Sequence, residues 1–389
     1  MTDVQKCVQA LLDELITTGA EQGLQVAIEI DGELVVDAWA GVADPATGRR
    51  VDGETLFPVF SVTKGITATM IHLLAECGLL DYDTPISHYW PEFGAHGKAA
   101  ITLRQALLHR AGIPQMPEGV GPADICDWER MCRGIAALTP LCEPGTRTIY
   151  HALTFGWILG EVARRVDGRP FGQMIQDEIC APLGLTSLYL GIPDEVASRV
   201  ATLESAPISE AEQAASEALL AATSSDPLSP LSLAMLSIPP ALQPLSDLFN
   251  RPDVRRACIP GAGGIMNARS LARFYAALAV GEANSASLLS KEWIRQATTP
   301  QTTLIDSLAG TAVDFGLGYM LGGDTSPLGS RRTAFGHDGA GGSLGLADPA
   351  LHLSFGLVKN RMVNSVPGAA TARRVLGEAL TALGLTRQD

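Results

Sequence analysis

Val4, Cys7, Val8, Leu11, Leu12, Leu15 and Ile16 recur at helical intervals near the start of the chain, the stripe of an amphipathic helix. The period then shortens to two. Leu24, Val26, Ile28 and Ile30 alternate with other residues, Asp31-Gly32 follows, and Leu34 to Ala40 reads as a return strand. Asp-Gly suits the left-handed turn of a tight hairpin, so the pattern predicts two antiparallel strands. Near the other end, Ser343 to Ala347 and Leu351 to Val358 read as a second pair broken by Asp348-Pro349. A last helix is expected over 369–383, with Val375, Leu376, Ala379, Leu380 and Leu383 on one face. Helix and hairpin at one end, hairpin and helix at the other, point to one antiparallel sheet closed from both sides.

Between about 60 and 300 the pattern is mostly helices and long loops. The fold class expected is α/β (α+β), an antiparallel sheet flanked by the terminal helices, with a mostly helical domain inserted. The expected boundaries place 1–59 and 317–389 in the sheet domain and 60–316 in the helical one. Residues 202–260 stand apart. Pro227, Pro230, Pro239, Pro240 and Pro244 punctuate apolar stretches that include Leu219, Leu220, Leu231, Leu233, Met235, Leu236 and Leu242. A connection this long is functional or disordered. Its apolar content suggests a cap over a cleft, with an ordinary helical insertion as the alternative.

Composition narrows the function. An apolar fraction of 46% over 389 residues is ample for a large core. Acidic residues outnumber basic ones 42 to 28, a net charge of −14 that repels phosphate backbones. No basic run exceeds two residues, so no nucleic-acid partner is expected. No apolar run reaches the ~18 residues of a membrane span, so no membrane partner is expected either. Met1 to Gln9 lacks a basic stretch followed by an apolar core, and the expectation is a chain without a secretory signal. Seven cysteines form an odd set without C-x-x-C spacing, which suits reduced thiols in the cytoplasm. Cys126, Cys132 and Cys142 cluster in sequence; packing thiols and a redox group are the two readings. His72, His88, His96, His109 and His151 show no metal-ligand spacing, so neither a metal nor another cofactor is expected.

Three stretches carry candidate chemistry. The first is Ser61-Val62-Thr63-Lys64, followed by a helical run from Gly65 to Ile71. Positions three apart on a helix share a face, which brings hydroxyl and amine together. A serine is a weak nucleophile until a base takes its proton. A lysine can do so once burial lowers its pKa from about 10.4 toward 7, a cost of about 4 kcal/mol. The chain has only five lysines, and of these Lys64 alone follows a serine by three positions. A plain helix cap by Ser61 beside a solvated Lys64 is the alternative.

The second stretch is Pro144-Gly145-Thr146-Arg147-Thr148-Ile149-Tyr150, a turn that ends where a helical pattern begins. A phenol placed there could act as base toward Ser61 and then as acid toward a leaving group. A buried tyrosine with a satisfied hydroxyl is the alternative. The third is Phe335-Gly336-His337-Asp338-Gly339-Ala340-Gly341-Gly342, glycine-dense ahead of a strand. His337 could line the same cleft, and the backbone amides of Ser61 and Ala340 could hold an oxyanion at about 3–4 kcal/mol per donor. A plain glycine turn is the alternative.

In combination these stretches resemble the serine β-lactamase and penicillin-binding-protein superfamily. The nearest likeness is to its class C-like branch, which includes the family VIII carboxylesterases. That family orders S-x-x-K, a Tyr motif and a K-T-G-like triad; here they read Ser61…Lys64, Tyr150 and His337-Asp338-Gly339. Leu107-Leu108-His109-Arg110-Ala111-Gly112, Pro182-Leu183-Gly184-Leu185 and Gly263-Gly264-Ile265 also look familial, and the likeness covers about 24 to 360. It implies Ser61 as acyl acceptor, with Lys64 and Tyr150 as its coupled base, Ser61 and Ala340 as the oxyanion hole, and His337, Gly339 and His151 at the substrate.

Two departures bear on the substrate. His151-Ala152 follows Tyr150 where β-lactamases carry an asparagine two residues on, and His337 replaces the triad lysine that helps hold a substrate carboxylate. Arg331 and Arg332 lie upstream as possible substitutes. Both departures point to neutral or hydrophobic esters, hence to a carboxylesterase acting on small molecules. An acyltransferase using the same acyl-enzyme, an amidase, D-peptidase or β-lactamase, and a non-catalytic binding module are the alternatives. A separate competitor is Gly341-Gly342-Ser343-Leu344-Gly345, which matches the G-x-S-x-G elbow of α/β-hydrolases. It requires a helix after the serine, whereas the pattern there reads as strand.

Overall fold

The computed structural model describes residues 3–206, 226–279, 287–306, 311–363 and 369–385. Its centre is a nine-stranded antiparallel sheet. In spatial order the strands are Arg49–Arg50, Glu33–Asp44, Gly23–Ile30, Leu353–Lys359, Leu344–Asp348, Phe335–Asp338, Met320–Leu321, Thr311–Phe315 and Thr302–Asp306. The two expected hairpins lie side by side, with Val26 opposite Leu357 and Ile28 opposite Phe355. Asp31 and Gly32 both take left-handed backbone angles, as the tight turn between Gly23–Ile30 and Glu33–Asp44 demands.

The sheet buries both faces. On one, the helices Asp3–Thr17 and Ala370–Ala382 set Val8, Leu12, Val375 and Ala379 against Leu24, Val26, Phe355 and Leu357. On the other lies the helix Ala268–Ala279. It reaches the backbone because Gly345 and Gly356 face each other across the strands. A Cβ on Gly345 would sit 2.5 Å from the Tyr275 ring, and one on Gly356 would sit 2.7 Å from the Ala268 carbonyl oxygen. The glycine after Ser343 in the elbow-like motif therefore serves helix packing. Ser343 is buried and leads into the strand Leu344–Asp348, without the strand-to-helix turn an elbow needs.

The sheet is wider than the boundary at 317 anticipates. Thr302–Asp306 and Thr311–Phe315 join its far edge, and these short polar strands carried little alternation to announce them. The helices Thr154–Asp167, Phe171–Ile175 and Lys291–Thr298 pack on Thr63–Glu76, which is buried at every position from Thr63 to His72. A helix enclosed on all sides shows little amphipathic contrast. Its polar side chains are paired instead: Thr67 donates to the Pro260 carbonyl at 2.7 Å, and Thr69 shares a bond with the Tyr319 hydroxyl. His72 is held between Tyr82 and the Leu317 carbonyl. No described helix is long and apolar enough to cross a membrane.

Candidate active site

Ser61 lies in the turn between the strand Phe57–Phe60 and the buried helix Thr63–Glu76. Phe60 adopts φ of 50°, a left-handed conformation that costs a bulky residue energy and swings the chain sharply into the helix. Val62 occupies the cap position and no side chain caps the helix, so Ser61 is not spent on capping. Its hydroxyl instead meets the Lys64 amine at 2.9 Å.

Lys64 is fully buried. Its Nζ also lies 2.8 Å from the carbonyl oxygens of Ala152 and Gly261. Those carbonyls arrive together because the helix Thr154–Asp167 presses on the 260–261 loop at Gly156, where a Cβ would sit 2.0 Å from the Gly261 nitrogen. Burial lowers the Lys64 pKa to about 7, and the Asp338 carboxylate only partly offsets this. A neutral amine has two N–H groups and one lone pair. The two carbonyls take the N–H groups, which leaves the lone pair facing the Ser61 hydroxyl.

The same titration predicts a stability effect. The Lys64 pKa is depressed in the fold from 10.5 to about 7, so between these values the unfolded chain binds the extra proton. This group's contribution is therefore fully present above about pH 10.5 and is lost as pH falls toward 7. Wild type should gain roughly 2 kcal/mol on Lys64→Met between pH 7 and 9, at about 1.4 kcal/mol per unit once the folded amine is neutral. Denaturant unfolding of both proteins across that range reads the difference. A constant gap would mean an amine that keeps its proton in the fold.

Tyr150 stands beside the pair, its ring centre 4.9 Å from Lys64 Nζ. Burial raises the phenol well above its usual range, and a hydrogen bond shared with Ser61 offsets only part of that. Tyr150 therefore keeps its proton, and the lower-lying amine is the better acceptor. The hydroxyl is placed to pass a proton on rather than to start as a phenolate.

His109 positions Tyr150 from both flanks. Its carbonyl accepts the Ile149 N–H at 2.9 Å, and its Nδ1 accepts the His151 N–H at 3.1 Å. The His109 backbone is itself left-handed, with φ of 56°, and its ring packs 4.7 Å from the Tyr150 ring. In the sequence this histidine stands out only as part of a familial stretch and as one without metal-ligand spacing, because a side chain that works through backbone contacts leaves no spacing signal.

The three residues expected at the substrate lie elsewhere. His337 is fully buried and its Nδ1 donates to the Asp338 carbonyl at 2.7 Å. Adjacent strand positions face opposite ways, so Asp338 opens on the cleft where His337 was expected. His151 is buried too. Its Nδ1 donates to the Ile149 carbonyl at 2.6 Å and its Nε2 accepts the Ile113 N–H at 3.1 Å, so it braces the tyrosine loop. Gly339 packs against the strand before Ser61, where a Cβ would sit 2.2 Å from the Val59 carbonyl oxygen. That close approach carries Ala340 to the cleft, which Ser61 also borders. Arg331 is paired with Asp348 on the neighbouring strand and borders a different pocket.

Burial drives the pKa of His109 well below 6.5, of His151 to about 4 and of His337 to about 3. All three imidazoles are neutral at pH 7. Burial pushes the Cys126 thiol up to about 11 and raises Cys132 and Cys142 as well, which makes each a poor nucleophile and supports the packing reading.

The cleft above Ser61 holds about 550 Å³. Pro230, Leu233, Ala234 and Ser237 line it from the helix Pro230–Ser237, the spacing of a single helical face. Of the apolar 202–260 segment, residues between Pro230 and Phe249 border the cleft, while Leu219 and Leu220 fall outside the described residues. A hydrogen bond from the Met116 N–H to the Leu236 carbonyl at 2.8 Å ties this helix to the body.

A serine hydroxyl set against a buried amine beneath an apolar cleft equips the chain as a serine hydrolase. The chain belongs to the Beta-lactamase family, whose model matches residues 8–380. It is 35% identical to the Esterase/beta-lactamase LipL of Mycobacterium tuberculosis (strain ATCC 25618 / H37Rv), over 88% of this chain and 78% of that protein. Among solved structures it resembles a family VIII carboxylesterase, with a TM-score of 0.86 and 33% identity over 98% of both chains. EstA from Arthrobacter nitroguajacolicus Rue61a superposes with a TM-score of 0.79 at 32% identity, covering 97% of this chain and 98% of that one. The expected superfamily and antiparallel α/β fold are thereby established.

Proposed function

We propose that this protein is a carboxylesterase that hydrolyses neutral or hydrophobic esters through an acyl group on Ser61. The observation that carries this reading is the Lys64 amine, fully buried and 2.9 Å from the Ser61 hydroxyl, where Ser61 borders an apolar cleft. In acylation the Ser61 oxygen attacks the ester carbonyl carbon while its proton passes to Lys64. The Ser61 and Ala340 amides hold the oxyanion. When the intermediate collapses, the carbon–alkoxide bond breaks and Tyr150 hands its proton to the leaving alcohol, drawing a replacement from Lys64. Water then attacks the acyl carbon by the same route in reverse and frees Ser61.

Several features support an ester over a β-lactam. No basic residue lines the cleft among the described residues, so nothing there grips a carboxylate. Ala152, which stands where β-lactamases carry an asparagine, gives its carbonyl to Lys64. Turnover of p-nitrophenyl esters from two to twelve carbons, measured beside nitrocefin, tests the reading. Esters are expected to turn over and nitrocefin to be cleaved far more slowly; the reverse order would overturn it. Leu233 borders the cleft, so Leu233→Trp should lower the ratio of octanoate to acetate turnover roughly tenfold, the scale of a filled apolar pocket. An unchanged ratio would place the acyl chain elsewhere.

A further inference from the structure

The described lining of the cleft has a single formal charge to offer. Among the described residues that line it, Asp338 is the only carboxylate, and none is Lys, Arg or His. The Asp338 side chain is 25% exposed, and both Ser61 and Ala340 border the same space. The strand register fixes its direction, since His337 beside it turns inward beneath Tyr150.

The groups facing Asp338 come from three elements. Lys64 lies on the buried helix, Tyr150 on its loop and His337 on the same strand, with His337 Nδ1 3.7 Å from Asp338 Oδ1. His337 and Tyr150 are neutral, so among these groups only Lys64 can supply compensating charge; it sheds that charge above its pKa of about 7 and is lodged below the cleft floor. A substrate group in the cleft therefore meets the carboxylate directly.

We propose that Asp338 is a specificity-determining residue that turns away esters carrying a negative charge on the group seated in the cleft and admits neutral or cationic ones. This rests on the cleft being the ester site, and it deepens that reading by naming the substrate's charge. The favoured substrate class includes esters with an ammonium group within reach of Asp338. Half-esters of dicarboxylic acids are the disfavoured class.

Burial raises the Asp338 carboxyl to about 6, so the barrier to anions has its own pH window. Above about 6 the group is charged and the penalty is complete. Below it Asp338 takes up a proton and the penalty fades, while a half-ester with an ordinary carboxyl pKa near 4.3 is still largely ionised at pH 5.

Three p-nitrophenyl esters of similar length test the proposal: the neutral pentanoate, the anionic hydrogen glutarate and the cationic 4-(trimethylammonio)butanoate. At pH 8, wild type should favour the neutral over the anionic ester roughly ten- to a hundredfold in kcat/KM, the effect of one unit charge a few ångström away in a partly solvated site. Asp338→Asn should bring that ratio within about twofold of unity and erase any advantage of the cationic ester. The ratio cancels any general loss of activity in the variant. Asp338→Glu should keep the discrimination at pH 8, and in wild type the discrimination should fade between pH 8 and 5.

A second readout follows from the Asp338–Lys64 coupling, which raises the Lys64 pKa. In Asp338→Asn the acid limb of neutral-ester hydrolysis should move to lower pH. The proposal is overturned if wild type hydrolyses the glutarate as fast as the pentanoate, or if Asp338→Asn keeps the bias. Failure to hydrolyse even the pentanoate would instead overturn the esterase reading, and this proposal with it.

Discussion

Ser61→Ala is expected to lower ester kcat/KM by at least ~10³-fold, because the amide donors and the cleft alone supply only the residual catalysis that survives loss of a nucleophile. The fold should survive, since Ser61 is half-buried at the cleft and caps no helix. Intact mass after a fluorophosphonate should show one adduct on wild type and none on the variant, with peptide mapping placing it on Ser61. A variant that keeps more than about a tenth of the activity would move the nucleophile elsewhere. Ser343, buried in the turn before its strand, would be the residue to re-examine.

Lys64→Arg is the second large effect. A guanidinium keeps its proton at every working pH and has no lone pair to offer. Removing the base should lower acylation ~10²–10⁴-fold, the usual worth of a positioned proton acceptor. The larger group must also fit where Nζ now meets three oxygens at 2.8–2.9 Å, so circular dichroism and a melting curve accompany the kinetics. Lys64→Met separates charge from bulk, being neutral and of similar length. Both variants should lose the acylation burst. An arginine variant with near-normal turnover would exclude the amine as base.

The sheet was legible in the chain wherever one face of an element is buried and the other exposed. The hairpins at Asp31-Gly32 and Asp348-Pro349 and the two terminal helices fall within a few residues of their expected limits. The helix carrying Lys64 is expected only as a run from Gly65 to Ile71, short of its end at Glu76, since enclosure on every side erases periodicity. Short strands such as Thr302–Asp306 and Thr311–Phe315 carry too few residues to show alternation, so the expected boundary at 317 leaves these two strands of the sheet on its other side.

The site divides in the same way. Ser61, Lys64 and Tyr150 meet, and each sits where a local pattern changes from strand or loop to helix. Which member of His337-Asp338 faces the cleft depends on the pleat of a four-residue strand, too short for sequence to fix its phase. The positioning role of His109 has no sequence signal because it holds Tyr150 through the Ile149 and His151 amides, contacts that only a folded backbone brings into being. The left-handed turn at Phe60, which aims Ser61 into the cleft, is likewise invisible in a residue type that rarely adopts it.

In the proposed mechanism an uncharged lysine draws a proton from Ser61. The rate of the p-nitrophenol burst from p-nitrophenyl acetate, followed by stopped flow from pH 5 to 9, measures that event before deacylation intervenes. With the Lys64 pKa near 7, the rate should climb about tenfold per unit at low pH, bend near 7 and level off above 8. A burst rate that stays flat from pH 5 to 9 would show that no group ionising near neutrality activates the serine, and would contradict the mechanism.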